Sequence, residues 1–173
     1  MGDVKRKFAT ILATDCVGFS KHMLEDEQAT FESLNACREI IDSLIEQHGG
    51  RIFHTAGDSV LADFESPIET VNCAIKFQEA IQERNETISD EDPRRKLLWR
   101  IGIHSDDVIF EKDNVYGNGV NIAARLESQC NPGQILVSRI VSEQVSTQLA
   151  SITKAAGTRT LKNIASDFEV FTA

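Results

Sequence analysis

The stretch from Gly49 to Phe64, GGRIFHTAGDSVLADF, admits few folds. A Gly-Gly break ends whatever helix precedes it. Residues 51–55 and 60–64 are apolar and β-favouring, and Ala56-Gly57-Asp58 between them is a tight turn, so the segment reads as a β-hairpin with one carboxylate at its tip. A second carboxylate has a similar setting upstream, where the apolar run 8–13 ends in Thr14-Asp15 and the small-residue turn Val17-Gly18-Phe19-Ser20. Either aspartate alone also reads as a turn cap. Together, with Gly18 and Gly57 giving close access to backbone, Asp15 and Asp58 form a candidate site for a pair of divalent cations. An all-oxygen shell suits Mg²⁺ or Mn²⁺, ions that activate a hydroxyl and neutralise charge on a phosphoryl group.

The elements around this hairpin alternate between strand and helix patterns. Residues 7–13 read as a buried strand, and 26–48 as one long helix whose Phe31, Leu34, Ile41, Leu44 and Ile45 recur at helical spacing before Gly49-Gly50 stops it. Ser66-Pro67-Ile68-Glu69 carries the N-cap, N1 proline and N3 glutamate that open a helix to about Arg84. Residues 85–96 read as a polar surface loop, 97–104 as a strand, Asp106-Asp107 as a turn, 108–110 as the returning strand and 111–119 as a loop. A helix over 120–129, a turn at Asn131-Pro132-Gly133, a strand over 134–137, a helix over 138–147 and a last antiparallel pair, 158–161 with 168–172, complete the chain. The intruding hairpins favour an α+β sandwich with a mainly antiparallel sheet over a doubly wound arrangement, in a single domain spanning 1–173.

Charge and cysteine usage remove several function classes. A formal net charge of −9 repels nucleic-acid backbones, although a nucleotide can still bind through metal cations and local basic groups. The four cysteines, Cys16, Cys37, Cys73 and Cys130, have no paired spacing and read as reduced core thiols. No apolar run is long enough for a membrane span, and charges occupy the N-terminus where a signal peptide needs its apolar segment, so a cytoplasmic location with no membrane contact is expected.

A second group of polar residues lies on the helix that starts near Gly119. Asn121 and Arg125 are four residues apart and project from one face, where Arg125 can fork onto a phosphate and Asn121 can orient a sugar or phosphate oxygen. The alternative is a solvated face with Arg125 in an ion pair.

The stretches ATDCVGFS, GGRIFHTAGDSVLADF, RIGIHSDDVIF, VYGNGVNIAARLESQCNPGQILVS and LKNIASDFEVF, in that order, make nearly the whole chain resemble the catalytic domain of class III nucleotidyl cyclases, the adenylate and guanylate cyclases. The resemblance implies a ferredoxin-like α+β sandwich acting as a homodimer, with active sites at the interface. There ATP, or GTP as the alternative, becomes a 3′,5′-cyclic monophosphate and pyrophosphate, and two Mg²⁺ or Mn²⁺ are the implied cofactors. Asp15 and Asp58 match the metal-binding aspartates, with the Cys16 carbonyl as an added ligand and the amides of Val17, Gly18, Phe19 and Ser20 near the β- and γ-phosphates. Asn121 and Arg125 match the transition-state pair, and Lys162 resembles a phosphate-contacting lysine. In the family's geometry the aspartates come from one protomer; Asn121, Arg125 and the base-reading positions come from the other.

The base-reading positions hold His54 and Asn114, which match neither the lysine and aspartate or threonine set for adenine nor the glutamate and cysteine set for guanine. His54 can donate to a ring nitrogen and Asn114 can accept from an exocyclic amine, which is compatible with adenine without excluding guanine. The alternative is that His54 pairs within the hairpin and Asn114 caps a turn. Asp106 stands where the family has glycine, while His104, Trp99 and Tyr116 are assigned to packing. An adenylate cyclase is the expected activity, and a regulatory module beyond this segment is expected. The alternatives are a guanylate-selective or promiscuous enzyme and a degenerate cyclase homology domain that binds nucleotide, or only dimerises, to regulate a partner.

Overall fold

A computed structural model of the chain describes residues 3–149, 154–160 and 167–172. The elements are, in order, β1 (Val4–Cys16), α1 (Phe19–Glu25), α2 (Glu27–Gln47), β2 (Arg51–Ala56), β3 (Ser59–Phe64), α3 (Pro67–Glu86), β4 (Trp99–Glu111), β5 (Asn114–Tyr116), α4 (Asn118–Gln129), β6 (Ile135–Ser138), α5 (Arg139–Leu149), β7 (Lys154–Thr160) and β8 (Asp167–Thr172). The strands form one sheet in the order β2-β3-β1-β4-β6-β8-β7, with β5 paired to β4. Only the β4–β6 pairing is parallel among the described residues. The β2-β3-β1-β4 part is the ferredoxin-like arrangement, so the mainly antiparallel sandwich expected from the sequence is the fold found.

Strand alternation decides which helix lies on which face. In β1, Leu12 and Cys16 enter the main core with Leu34 and Ile41 of α2, Phe77 of α3 and Val141 of α5. Trp99 and Phe77 are fully buried there and meet edge to face, ring centroids 5.9 Å apart. The intervening residues Ala9, Ile11 and Ala13 face the other way and pack with Val108, Val115 and Ala123 of α4. On that side Phe53, Leu61, Phe110 and Val120 are only partly buried, because α4 is the one helix covering it among the described residues.

Helix α4 lies almost on the sheet. A methyl group at Gly102 of β4 would collide with backbone atoms of Ala123 and Glu127, and backbone cannot swing aside as a flexible side chain does. Gly102→Ala is therefore expected to lift α4 off β4, lowering the thermal midpoint by several degrees, as a core overpacking cost of about 1–3 kcal/mol implies. Differential scanning fluorimetry of this one variant checks it, and an unchanged midpoint contradicts the close seating.

Several local expectations are met by visible chemistry. Ser66 Oγ accepts from the Glu69 amide at 3.2 Å with Pro67 in the first turn. Gly49 takes φ 78° at the end of α2 and Gly50 N donates to Ile45 O, which closes that helix. All four cysteines are free and buried. No helix among the described residues is long and apolar enough to cross a membrane.

Other expectations are corrected. The helix expected over 26–48 is α2, with the Asp26 carboxylate accepting from Ala29 N at 3.0 Å as its cap, but the turn expected at 17–20 leads directly into a further short helix, α1. Asp106-Asp107 is not a turn. Both residues lie in a continuous β4, paired with Ala9 and Phe8 of β1, and the chain reverses instead at Lys112-Asp113, where Lys112 takes φ 55°. Residues 85–96 are not wholly superficial, since Asn85 and Ile88 are buried and Asn85 Nδ2 holds Leu97 O at 2.9 Å. Tyr116 is not packed away but 49% exposed.

Candidate active site

The two aspartates meet because of strand register. Thr14 of β1 pairs with Val60 of β3, which sets the hairpin tip beside the end of β1, and the Cys16 amide donates to Asp58 Oδ2 at 2.9 Å. Gly57 takes φ 59° in the tip, a conformation in which glycine carries no steric cost. Burial pushes the Asp58 carboxyl up from its ordinary range and the neighbouring Asp15 charge adds to this, while the Cys16 amide opposes it. Two carboxylates in one partly desolvated corner repel each other until a cation joins them.

The cation already present is one the sequence reading missed. Arg100, opposite Asp15 in the β1–β4 ladder, forks onto both its oxygens at 3.0 and 2.7 Å. Its Nη1 donates to the Ser128 carbonyl at 3.1 Å, at the end of α4. Glu127, also missed, lies within the same reach with Oε1 3.7 Å from Arg100 Nη2. Burial and the adjacent Asp15 push Glu127 up to about 9, against the pull of Arg100. One signal existed in the sequence: an arginine between Trp99 and Ile101, in a strand otherwise buried on both sides, needs an anionic partner. Only the register names that partner.

The donor set fits a hard divalent cation. Burial first, then Asp58, pushes the Cys16 thiol up to about 12, and the side chain is buried in the main core, so the backbone carbonyl is the donor Cys16 offers. No group of three or more His, Cys, Asp or Glu side chains is arranged to hold a metal among the described residues. Two carboxylates without a full protein cage match Mg²⁺ or Mn²⁺, which keep waters and take substrate phosphate oxygens.

The turn after Asp15 is only partly as expected. Val17 N donates to Leu98 O at 2.7 Å, which commits its amide and removes it from the set offered to a ligand. Gly18, at φ 65°, precedes α1, and Phe19 and Ser20 begin that helix. A cavity of about 600 Å³ lined by Ile75, Ile81, Leu98 and Ile135 includes neither aspartate and no residue of the 17–20 turn.

Asn121 and Arg125 are not brought to the aspartates of their own chain. Ile122, Ala123 and Leu126 are the buried side of α4, Asn121 is exposed, and Arg125 is half-buried with no ion pair among the described residues. At 3.6 residues per turn, Arg125 and Glu127 leave the helix about 200° apart. Since Glu127 faces Arg100 and Asp15, Arg125 and Asn121 face away from them. His54 is exposed on β2. Asn114 caps its own turn: Oδ1 accepts from Val115 N at 2.9 Å and Nδ2 donates to the Tyr116 hydroxyl at 3.1 Å, beside a cavity of about 410 Å³ lined by Phe53, Asn114 and Tyr116. Lys162 lies outside the described residues.

Comparison with known proteins places this arrangement. Residues 4–168 match the adenylate and guanylate cyclase catalytic domain. A Rhizobium meliloti (strain 1021) protein with the provisional name adenylate cyclase 3 is 33% identical over 170 residues, which are 98% of this chain and 28% of that protein. The chain thus spans about 28% of the length of that relative. The crystal structure of an adenylate/guanylate cyclase/hydrolase from Silicibacter pomeroyi superposes with a TM-score of 0.89 at 34% identity, covering 98% of both chains. The guanylyl cyclase Cya2 superposes with a TM-score of 0.85 at 25% identity, over 99% of this chain and 93% of its own. Fold, motif order and these matches agree: the chain belongs to the class III adenylate/guanylate cyclase catalytic domain family.

Proposed function

We propose that this chain is an adenylate cyclase, converting ATP to 3′,5′-cyclic AMP and pyrophosphate at composite sites shared by the two protomers of a homodimer. The observation that carries the shared site is the split on α4: Glu127 turns toward the aspartates of its own chain, and Asn121 and Arg125 turn away from them. A second copy brings the two sets together. The half-covered face of the sheet, with Phe53, Leu61, Phe110 and Val120 partly buried, gives that copy an apolar surface.

Attack of the ribose 3′-oxygen on the α-phosphorus needs positioning and charge stabilisation and no covalent nucleophile. Two divalent cations held by Asp15 and Asp58, with the Cys16 carbonyl, would supply hydroxyl activation and phosphate neutralisation. The Gly18, Phe19 and Ser20 amides face phosphate oxygens, and Lys162 adds a cation there. From the other protomer, Arg125 opposes charge building on the α-phosphate and Asn121 holds the ribose. The absence of an ion pair on Arg125 supports this role, since its charge is not already spent inside the described chain.

A guanylate-accepting or promiscuous enzyme is the second reading. It is favoured by Asn114, whose carbonyl oxygen already accepts a backbone amide and so selects an exocyclic amine weakly. If His54 and Asn114 read the base, the pair of substitutions His54→Lys and Asn114→Asp raises the ratio of cyclic AMP to cyclic GMP formed from equal ATP and GTP. About tenfold is the expected size for one added charged hydrogen bond. Chromatographic separation of the products measures it. An unchanged ratio moves base reading to other residues.

A further inference from the structure

Arg100 is shared between an occupied carboxylate and an open one. Its fork closes on Asp15, yet Glu127 Oε1 stands 3.7 Å from Nη2, is buried, and has no hydrogen-bond partner. Glu127 is 7% exposed; its other oxygen accepts from the Ser128 hydroxyl at 3.5 Å, and the carboxyl lies beside that of Asp15. A buried carboxyl oxygen left open is costly in the state that leaves it open. It becomes intelligible if another state of the site uses it.

The surroundings hold the Glu127 backbone in place and leave the Arg100 side chain 26% exposed. Helix α4 cannot slide, because Gly102 receives its backbone directly, and Arg100 Nη1 is tied to the Ser128 carbonyl at 3.1 Å. Turning about that bond carries Nη2 from Asp15 toward Glu127 without leaving the site. A divalent cation on Asp15 supplies the reason to turn, since it repels the guanidinium on the same carboxylate.

We propose that Glu127 is the second seat of Arg100: when a divalent cation takes Asp15, the guanidinium passes to Glu127, which makes Glu127 a positioning residue for metal loading. This rests on the reading of Asp15 as a metal-binding residue. Without Glu127 the guanidinium has nowhere to go and competes with the cation.

Mn²⁺ binding to the whole chain, measured by electron paramagnetic resonance without nucleotide, tests this apart from turnover. Glu127→Gln is expected to weaken Mn²⁺ binding about tenfold, the size of a lost charge-assisted hydrogen bond. Arg100→Gln should bind at least as tightly as the parent, because Asp15 is then uncontested. In the double variant Glu127→Gln with Arg100→Gln, the loss caused by Glu127→Gln should vanish. A purely local effect of changing Glu127 predicts instead the same weakening in both backgrounds, and that result overturns the proposal, as does unaltered binding by Glu127→Gln. If Glu127→Gln does not fold, Glu127→Asp, which keeps the carboxyl and shortens the reach, takes its place with a smaller loss expected that again depends on Arg100. Asp15→Asn separates the underlying reading: Mn²⁺ binding undiminished in that variant overturns the assignment of Asp15 and this inference with it, whereas diminished binding there with no effect of Glu127 overturns the inference alone.

Discussion

Arg125→Ala lowers kcat by about 10²–10³-fold, the cost of removing one charge-stabilising donor from a transition state. The nucleotide KM stays within a few-fold and the melting temperature does not move. The kinetic part follows from where charge develops: the α-phosphoryl group gains negative charge as the 3′-oxygen attacks, so a cation placed there acts mainly on the barrier. The stability part follows from surroundings. Arg125 is half-buried, makes no ion pair among the described residues, and shares its helix face with an exposed Asn121. Trimming such a side chain costs within about 0.5 kcal/mol. Steady-state rates of cyclic nucleotide formation beside a thermal melt check both halves. A loss carried wholly by KM would make Arg125 a ground-state phosphate ligand, and a fall in melting temperature would make it structural.

Asp58→Asn gives the second large effect, a loss of turnover of at least about 10²-fold for a residue whose removal disables metal-assisted activation. Asparagine keeps an oxygen for the Cys16 amide, which Asp58 Oδ2 now accepts at 2.9 Å, so the hairpin stays tied to β1. The variant loses charge and little else. Burial raises the folded-state pKa of Asp58 above its ordinary value, so in the metal-free protein the folded state binds more protons than the unfolded one. Stability therefore falls as pH rises from the ordinary aspartate range through the raised value, and above that window the charged group is a net cost. Asp58→Asn removes this cost, and at neutral pH without metal it should melt no lower than the parent. With Mn²⁺ the order reverses, because only the parent gains ligand-linked stability. Melting curves with and without Mn²⁺ read both, and equal Mn²⁺ stabilisation of the two proteins contradicts the metal role of Asp58.

Much of this site was legible in the chain because its signals are local. The hairpin tip, the cap at Ser66 and the apolar side of α4 each depend on residues within a turn or two of one another. What was illegible depends on register between distant segments. Arg100 meets Asp15 across 85 residues of sequence, and nothing near Arg100 says which strand will lie opposite. The same cause explains the misplaced turn at Asp106-Asp107. Two adjacent aspartates favour a reversal locally, but thirteen residues of β1 lie alongside and hold the strand straight. His48 is settled in the same way: at the end of α2 its ring meets Glu69 of α3 at 2.8 Å, and its side chain is 11% exposed. Tertiary contact decided these positions and local propensity did not.

The shared site is the claim on which the rest depends, and mixing inactive proteins tests it most directly. Asp58→Asn and Arg125→Ala homodimers each have two defective sites. In a heterodimer one site carries both defects and the other carries neither. An equal mixture that exchanges subunits freely should therefore recover about a quarter of the parental activity, since half the dimers are mixed and half their sites are intact. Differently tagged proteins that co-purify show that exchange has occurred. Recovery toward that level supports aspartates and arginine meeting across a dimer interface. Activity that stays at the sum of the two parents, in a mixture shown to have exchanged, contradicts the shared site.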